Sequence, residues 1–323
     1  MTVSLVSETG ISGSFKFSGH ETFACRYAWL PKAYRALRKD QWVFANEESA
    51  MVELGLGKNM VRSLRFWVEA MGVAEPAPDG QGLIPTRFGR VVLSTKDGCD
   101  PYLEDIKTLW LLHWNLGSRS QGALFAWRLL LSHWPFPEFV RSEALAAFTR
   151  ESKRLGHSHS AVTLTQHLDV FLHTYSPARG AAASVEDSLD GPLAELGFLQ
   201  PIGQRKGDGG RWETVLAFRR EPKPEITAAL FEYCVIDYWD RFRPGEETLT
   251  LRELTLAPCS PGQVFKLPED DIRSRLESYA VDSKASKKPF RFQPSAVQGL
   301  LFRQRGGRPV DLASVYDAEA VNA

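Results

Sequence analysis

NEESAMVELGLGKNMVRSLRFWVEAMGVAEPAPDGQGLIPTRFGRVVL, residues Asn46 to Leu93, is the stretch whose reading decides the fold. Glu47 to Leu54 reads as a short helix. Leu56 and Gly57 follow as a tight connection, because glycine reaches the positive φ that helix-to-helix turns use. A second helix starts at Lys58, with Met60, Leu64, Trp67, Val68 and Met71 at offsets of three and four on one face. Lys58, Asn59, Arg62 and Arg65 are left on the other side, and Gly72 fits a C-terminal cap. A Pro/Gly/Asp-rich hairpin over Glu75 to Gly82 and a short apolar run at Leu83 and Ile84 complete the order helix, turn, helix, hairpin. This is the order of a winged helix-turn-helix. Exposed Arg and Lys on such a helix reach phosphates and guanine edges, and Asn pairs with adenine, so double-stranded DNA is the expected partner. The same spacing also suits a purely structural helical hairpin with a solvated basic face.

Outward from this stretch, the chain of 323 residues is long enough for two or three domains, and with 43% hydrophobic residues, including nine Trp and nineteen Phe, it can bury sizeable cores. Lys plus Arg and Asp plus Glu balance at 39 each, so any nucleic-acid binding must come from local patches. The cysteines, Cys25, Cys99, Cys234 and Cys259, have neither zinc-ligand spacing nor the density of a disulfide framework, which fits a reducing cytoplasm. No signal segment and no membrane-length apolar run is expected. Neither GxxxxGK[ST] nor a GxGxxG after a strand occurs, which argues against a nucleotide cofactor.

Toward the N-terminus, Phe15 and Phe17 alternate with polar residues as a short strand, and Pro31 opens a helix to about Arg38. Between them lie His20, Glu21 and Arg26. A His, a carboxylate and an Arg on one loop can serve as a catalytic cluster, with His20 or Glu21 moving a proton and Arg26 clamping phosphate. An Arg–Glu ion pair bracing the loop is the alternative, and spacing alone favours it.

Toward the C-terminus, Asp100 to Leu116 reads as a helix with Asp100 as N-cap and Pro101 at its first position. Asp100, Glu104 and Asp105 are its first-turn acids, where they suit the helix dipole; as a set they are also the candidate ligands of a divalent metal for phosphodiester cleavage. Apolar helices follow over Gln121 to Trp134, Phe139 to Leu155 and Ser160 to Tyr175, and the histidines there, His157, His159, His167 and His173, match no usual zinc spacing. SPARGAAA, Ser176 to Ala183, is the expected linker. Beyond it RKGDGGRWETVLAFRR reads as a basic hairpin whose Arg211 is a further candidate DNA contact, or as a charge-protected edge. Helices over Ile226 to Phe242, Leu251 to Leu256 and Glu269 to Tyr279, with strands near Phe290 and Leu300, suggest a second winged-helix-like unit.

The expected architecture is therefore mainly α with small β-hairpins, winged helix-turn-helix units being joined by a helical middle region. The expected domains are residues 1–98, 99–178 and 184–310, with a frayed tail over 311–323.

The runs FSGHETFACRYAWLPKAY, LGLGKNMVRSLRFWVEAMGV and DPYLEDIKTLWLLHWNL resemble, in order, the SspB-type DNA-nicking family of DNA phosphorothioation systems, a family first catalogued only as a domain of unknown function. The resemblance implies a nicking endonuclease linked to phage defence, acting beside a cysteine desulfurase, an ATPase and an ATP pyrophosphatase. Mg²⁺ or Mn²⁺ is the expected cofactor, and a homodimer is compatible with two-fold DNA sites. The other function class left open is a non-catalytic DNA-binding subunit or winged-helix regulator that positions partner enzymes. No nuclease motif is recognisable in the residues themselves.

Overall fold

The apolar stripe of the second helix is the seed of the architecture. In the computed structural model, which describes residues 14–78, 80–157, 159–176, 191–207, 209–282, 288–295, 298–304 and 311–317, this helix (α3) spans Lys58–Ala70. It buries Val61, Leu64, Phe66, Trp67 and Val68. Before it come α1 (Trp29–Lys39) and α2 (Glu47–Leu54), both packed on α3. Asn46 caps α2 by accepting the Ser49 amide at 3.0 Å, and Gly55 ends it at φ 61°. At the far end of α3 the Gly72 N–H reaches the Glu69 carbonyl at 3.2 Å and the Val73 N–H reaches that of Val68 at 2.8 Å. With Gly72 at φ +74°, this pair of bonds is a Schellman cap.

The hairpin follows as β2 (Ala74–Pro76) against β3 (Leu83–Pro85), antiparallel, with Glu75 opposite Ile84. A helix not expected from the sequence, α4 (Arg87–Leu93), comes next, capped by Thr86. The strand at the N-terminus, β1 (Phe15–Lys16), pairs in parallel with β4 (Ala123–Leu124).

The helix expected from Asp100 starts later, as α5 (Ile106–Gly117) with Asp105 as its N-cap. Asp100 instead closes the preceding turn, its two carboxylate oxygens accepting the amides of Glu104 at 2.9 Å and Asp105 at 3.0 Å. Leu103 in that turn has φ +63°, which a helix starting at Asp100 would not allow. The apolar run after Gln121 is likewise not one α-helix. Its first residues form β4, then Phe125–Trp127 (α6) continues as a π-helix over Arg128–His133.

Two longer helices, α7 (Arg141–Arg154) and α8 (Ala161–Tyr175), pack on each other. A sheet of order β5-β7-β6, from Glu138–Phe139, Leu199–Lys206 and Trp212–Phe218, closes this part of the chain. Its core is aromatic: Trp67, Trp110, Trp114, Trp127, Phe125, Phe148, Phe171, Tyr175 and Phe198 are fully buried. The Tyr175 hydroxyl lies 2.7 Å from His113 Nδ1 and accepts the Trp127 indole N–H at 2.9 Å, so these three buried polar tips satisfy one another.

The chain divides into two compact units, Met1–Arg219 and Arg220–Ala323. The basic hairpin β6–β7 therefore falls with the first unit. The expected linker lies, apart from Ser176, outside the described residues. The second unit holds α9 (Ala228–Phe242), α10 (Leu251–Leu256), α11 (Pro261–Phe265) and α12 (Glu269–Asp282). Its sheet has the order β8-β10-β9, from Thr248–Thr250, Phe290–Gln293 and Leu300–Arg303. Trp239, Leu254, Phe265, Ile272, Leu276 and Leu301 form its core. The tail expected to fray is ordered in part: Ala313–Tyr316 is a 3₁₀ turn with Leu312 and Val315 buried, while 318–323 lie outside the described residues.

The protein is thus mainly helical with small two- and three-stranded sheets. Among the described residues no helix is long and apolar enough to cross a membrane.

Candidate functional site

The segment after β1 is shaped by its packing partners. Phe17 stacks on Phe125 with ring centroids 4.4 Å apart. Gly19 sits at φ +106° so close to the Phe66 ring that a Cβ there would lie 2.8 Å from it, which excludes any larger residue. The indole N–H of Trp67 then donates to the Phe23 carbonyl at 2.9 Å, fastening the loop to α3.

Between these anchors the chain makes a tight turn, closed by the Phe23 N–H donating to the His20 carbonyl at 2.8 Å. Its central residues, Glu21 and Thr22, have φ +48° and +67°. Turns with two positive φ values normally carry Asn, Asp or Gly, and for a β-branched Thr the conformation is strained. Strain of this kind persists where the surroundings over-determine the backbone, as Phe66 and Trp67 do here, and it clusters at functional sites.

The turn buries the His20 side chain, 3% exposed, against α8. His20 Nε2 lies 3.0 Å from His167 Nδ1, and the other nitrogen of His167 accepts the Ala126 amide at 3.0 Å. Burial pushes His20 down to about 4; His167 is pushed well below its ordinary value, first by burial and then by the nearby His20 and His159. Both rings are neutral at pH 7.

His20, Glu21 and Thr22 from the turn, Asn59 from the first turn of α3, and Thr163 and Gln166 from α8 line a cleft of about 340 Å³. Two of the expected catalytic residues and one of the expected DNA contacts thus meet at one concave surface. Arg26 is not among the lining residues; its guanidinium lies 5.9 Å over the Trp29 ring.

The other cations of α3 lie on its solvent face and are engaged there. Arg62 holds Glu47 with Nε at 2.6 Å and Nη2 at 3.1 Å, and Lys58 Nζ is 3.2 Å from the same carboxylate. These bonds, that of Arg62 first, hold the Glu47 carboxyl below the usual carboxylate range. Arg65 pairs with Glu69 at 3.6 Å. Arg211 is exposed in the β6–β7 turn, where its carbonyl accepts the Gly207 amide at 2.9 Å.

Asp100, Glu104 and Asp105 do not line the cleft. Both oxygens of Asp100 accept backbone amides, and Asp105 accepts the Lys107 amide at 2.8 Å with Lys107 Nζ at 3.4 Å. Asp100 and Asp105 are thus placed as caps. Among the described residues no group of three or more His, Cys, Asp or Glu side chains could hold a metal ion.

Sequence reasoning missed the α8 side of the site. Thr163, Gln166 and His167 are more than 140 residues from the turn, as the separation of 147 between His20 and His167 illustrates, and spacing carries no signal for such an approach.

A family model described as "Protein of unknown function (DUF4007)" matches residues 17–300. Two solved structures share 27% sequence identity with the chain at a TM-score of 0.78. One, described as a magnesium ion-bound SspB crystal structure, is matched over 91% of this chain and 84% of its own; the other, described as an SspB crystal structure, over 94% and 87%. No curated protein matches the chain.

Proposed function

The chain belongs to the family described as "Protein of unknown function (DUF4007)", and from that premise we propose that it is an SspB-like DNA-nicking component of a phosphorothioation system. The observation that carries this reading is the cleft in which a strained turn presents His20 and Glu21 beside Asn59, at the start of a helix with a basic outer face. Phosphodiester hydrolysis needs an activated water, relief of charge on the phosphoryl oxygens and a stabilised leaving group. In this proposal α2, α3 and the β2–β3 hairpin act as a winged helix-turn-helix holding double-stranded DNA, with Lys58, Arg62 and Arg65 on phosphates and Arg211 on flanking backbone. Glu21 orients the water, His20 faces the scissile phosphate and Arg26 steadies the loop. The second unit is proposed to be a second winged-helix-like module. The proposed domains are residues 1–98, 99–178 and 184–310, the last of which begins within the first compact unit.

The proposal extends to cytoplasmic action beside a cysteine desulfurase, an ATPase and an ATP pyrophosphatase, and to a homodimer on two-fold sites. Magnesium is named of one structural relative. Asp100 and Asp105 do not fit a metal ion, because backbone amides and Lys107 already occupy their oxygens, so no step is routed through one.

Conversion of supercoiled plasmid to open circle tests the reading. Nicking by the purified protein that is abolished in Glu21→Gln and His20→Ala supports it, and parallel reactions with Mg²⁺, Mn²⁺ or EDTA determine the metal requirement. Nicking at wild-type rates in both variants refutes the assignment of the cleft. Clear retardation of DNA without nicking favours the second reading, a DNA-binding subunit or regulator. That reading draws on the position of Lys58, Arg62 and Arg65, which lie on the solvent face of α3 and do not line the cleft.

A further inference from the structure

We propose that the turn at His20 holds a two-donor subsite for a single phosphoryl oxygen, formed by the His20 Nδ1–H and the Thr22 amide N–H, and that His167 is the positioning residue that makes His20 a donor. The inference deepens the reading of the cleft as a phosphodiester site and rests on it.

It follows from counting protons along one row of atoms. The row runs from the Ala126 amide to His167 Nε2, from His167 Nδ1 to His20 Nε2, and from His20 Nδ1 to the Thr22 amide, with separations of 3.0, 3.0 and 3.2 Å. A backbone N–H stands at each end. Two neutral imidazoles carry two protons. If both end nitrogens accepted, both protons would lie on the inner nitrogens, where two N–H groups would face each other across 3.0 Å. One end must therefore present a donor to a donor.

The two ends are not equivalent. Ala126 is fully buried, and an amide left there without an acceptor would have no water to turn to. Thr22 is exposed and lines the cleft, where water or a ligand can supply the acceptor. The mismatch settles at Thr22. His167 then accepts from Ala126, donates through Nδ1 to His20 Nε2, and leaves the His20 proton on Nδ1. The Thr22 N–H points at His20 Nδ1 across 3.2 Å, so with a proton on Nδ1 two donors meet beside the cleft, and an oxygen accepting from both would relieve the mismatch as an oxyanion does. Burial keeps both rings neutral, so the subsite persists at pH 7. Glu21 in the same cleft is the opposing charge, which a phosphodiester must approach from the side of the two donors.

The consequence for chemistry is specific. His20 holds no free lone pair, so it donates to phosphate and does not take a proton from water; Glu21 is left as the proton acceptor.

The test is ¹⁵N NMR of the histidine-labelled full chain, assigned with His20→Gln and His167→Gln. Both rings are expected as neutral Nδ1–H tautomers at pH 7. Addition of inorganic phosphate or of a short DNA duplex is expected to shift the His20 Nδ1–H and the Thr22 amide together, leaving His167 Nε2 in place. An Nε2–H tautomer for His20, or resonances unmoved by both ligands, overturns the subsite. A response to phosphate with none to DNA keeps the subsite and tells against nicking. Plasmid nicking with no response from either resonance keeps nicking and removes the subsite. His167→Phe is expected to flip the His20 tautomer and lower the nicking rate about 100-fold at unchanged DNA affinity. His167→Asn, whose amide can donate to His20 Nε2, is expected to restore both the tautomer and the rate. If His167→Phe does not fold, the wild-type tautomer and titration decide.

Discussion

At His20 the local environment sets both charge and stability. An unfolded histidine titrates near 6.5 and the folded His20 at about 4, so between these values the unfolded chain binds more protons. Stability from this residue is fully present above pH 6.5 and lost as pH falls toward 4, a difference of about 3 kcal/mol, and His167 acts in the same direction. Urea midpoints at pH 7 and pH 4.5 measure this, and His20→Gln is expected to flatten the difference; an equal slope in the variant would refute the assignment. Glu47 gives a second test at this scale, because its carboxylate occupies Arg62 and Lys58 as a phosphate would. Glu47→Gln is expected to tighten DNA binding and steepen its salt dependence. Arg62→Ala is expected to weaken binding to all sequences and lower the salt slope by about one. If affinity is unchanged in both variants at low and moderate salt, α3 is not the DNA-facing helix. The cations themselves were legible in the stretch Lys58 to Arg65, since polar residues opposite an apolar stripe must face solvent. Their engagement by Glu47 was not, because it depends on how α2 is laid against α3.

Among the elements, α3 was read correctly at its start and at its Gly72 end, because a helix start and a glycine cap are local signals, while its buried face takes in Val61 and Phe66 and leaves Met60 half-buried. The helix placed at Asp100 shows where local signals compete. Asp-Pro is a good helix opening, yet the chain turns once more at Leu103 before Asp105 caps α5. Asp100→Ala is expected to leave the amides of Glu104 and Asp105 without an acceptor and to lower stability by about 1–2 kcal/mol. Thermal melting checks the loss. The same variant is expected to nick plasmid with unchanged response to Mg²⁺; an altered metal response would restore these acids as ligands. The π-helix after α6 had no sequence signal separable from an ordinary apolar helix.

Across the whole molecule, the two compact units each carry their own apolar core. A fragment ending at Arg219 is expected to melt cooperatively by itself and to keep the neutral Nδ1–H tautomers of His20 and His167. Calorimetry and ¹⁵N spectra of the fragment check this, and a fragment without a cooperative transition would refute it. The sequence by itself determined the mainly helical class and the start, end and polar side of α3, because periodicity, caps and turn residues act over a few neighbours. Only the tertiary structure brought His167, Thr163 and Gln166 to that loop, tied Arg62 to Glu47 and turned Asp100 into a cap. Those contacts join segments whose order in the chain carries no record of their approach, and it is the packing of aromatic side chains around Phe17, Phe66 and Trp67 that fixes it.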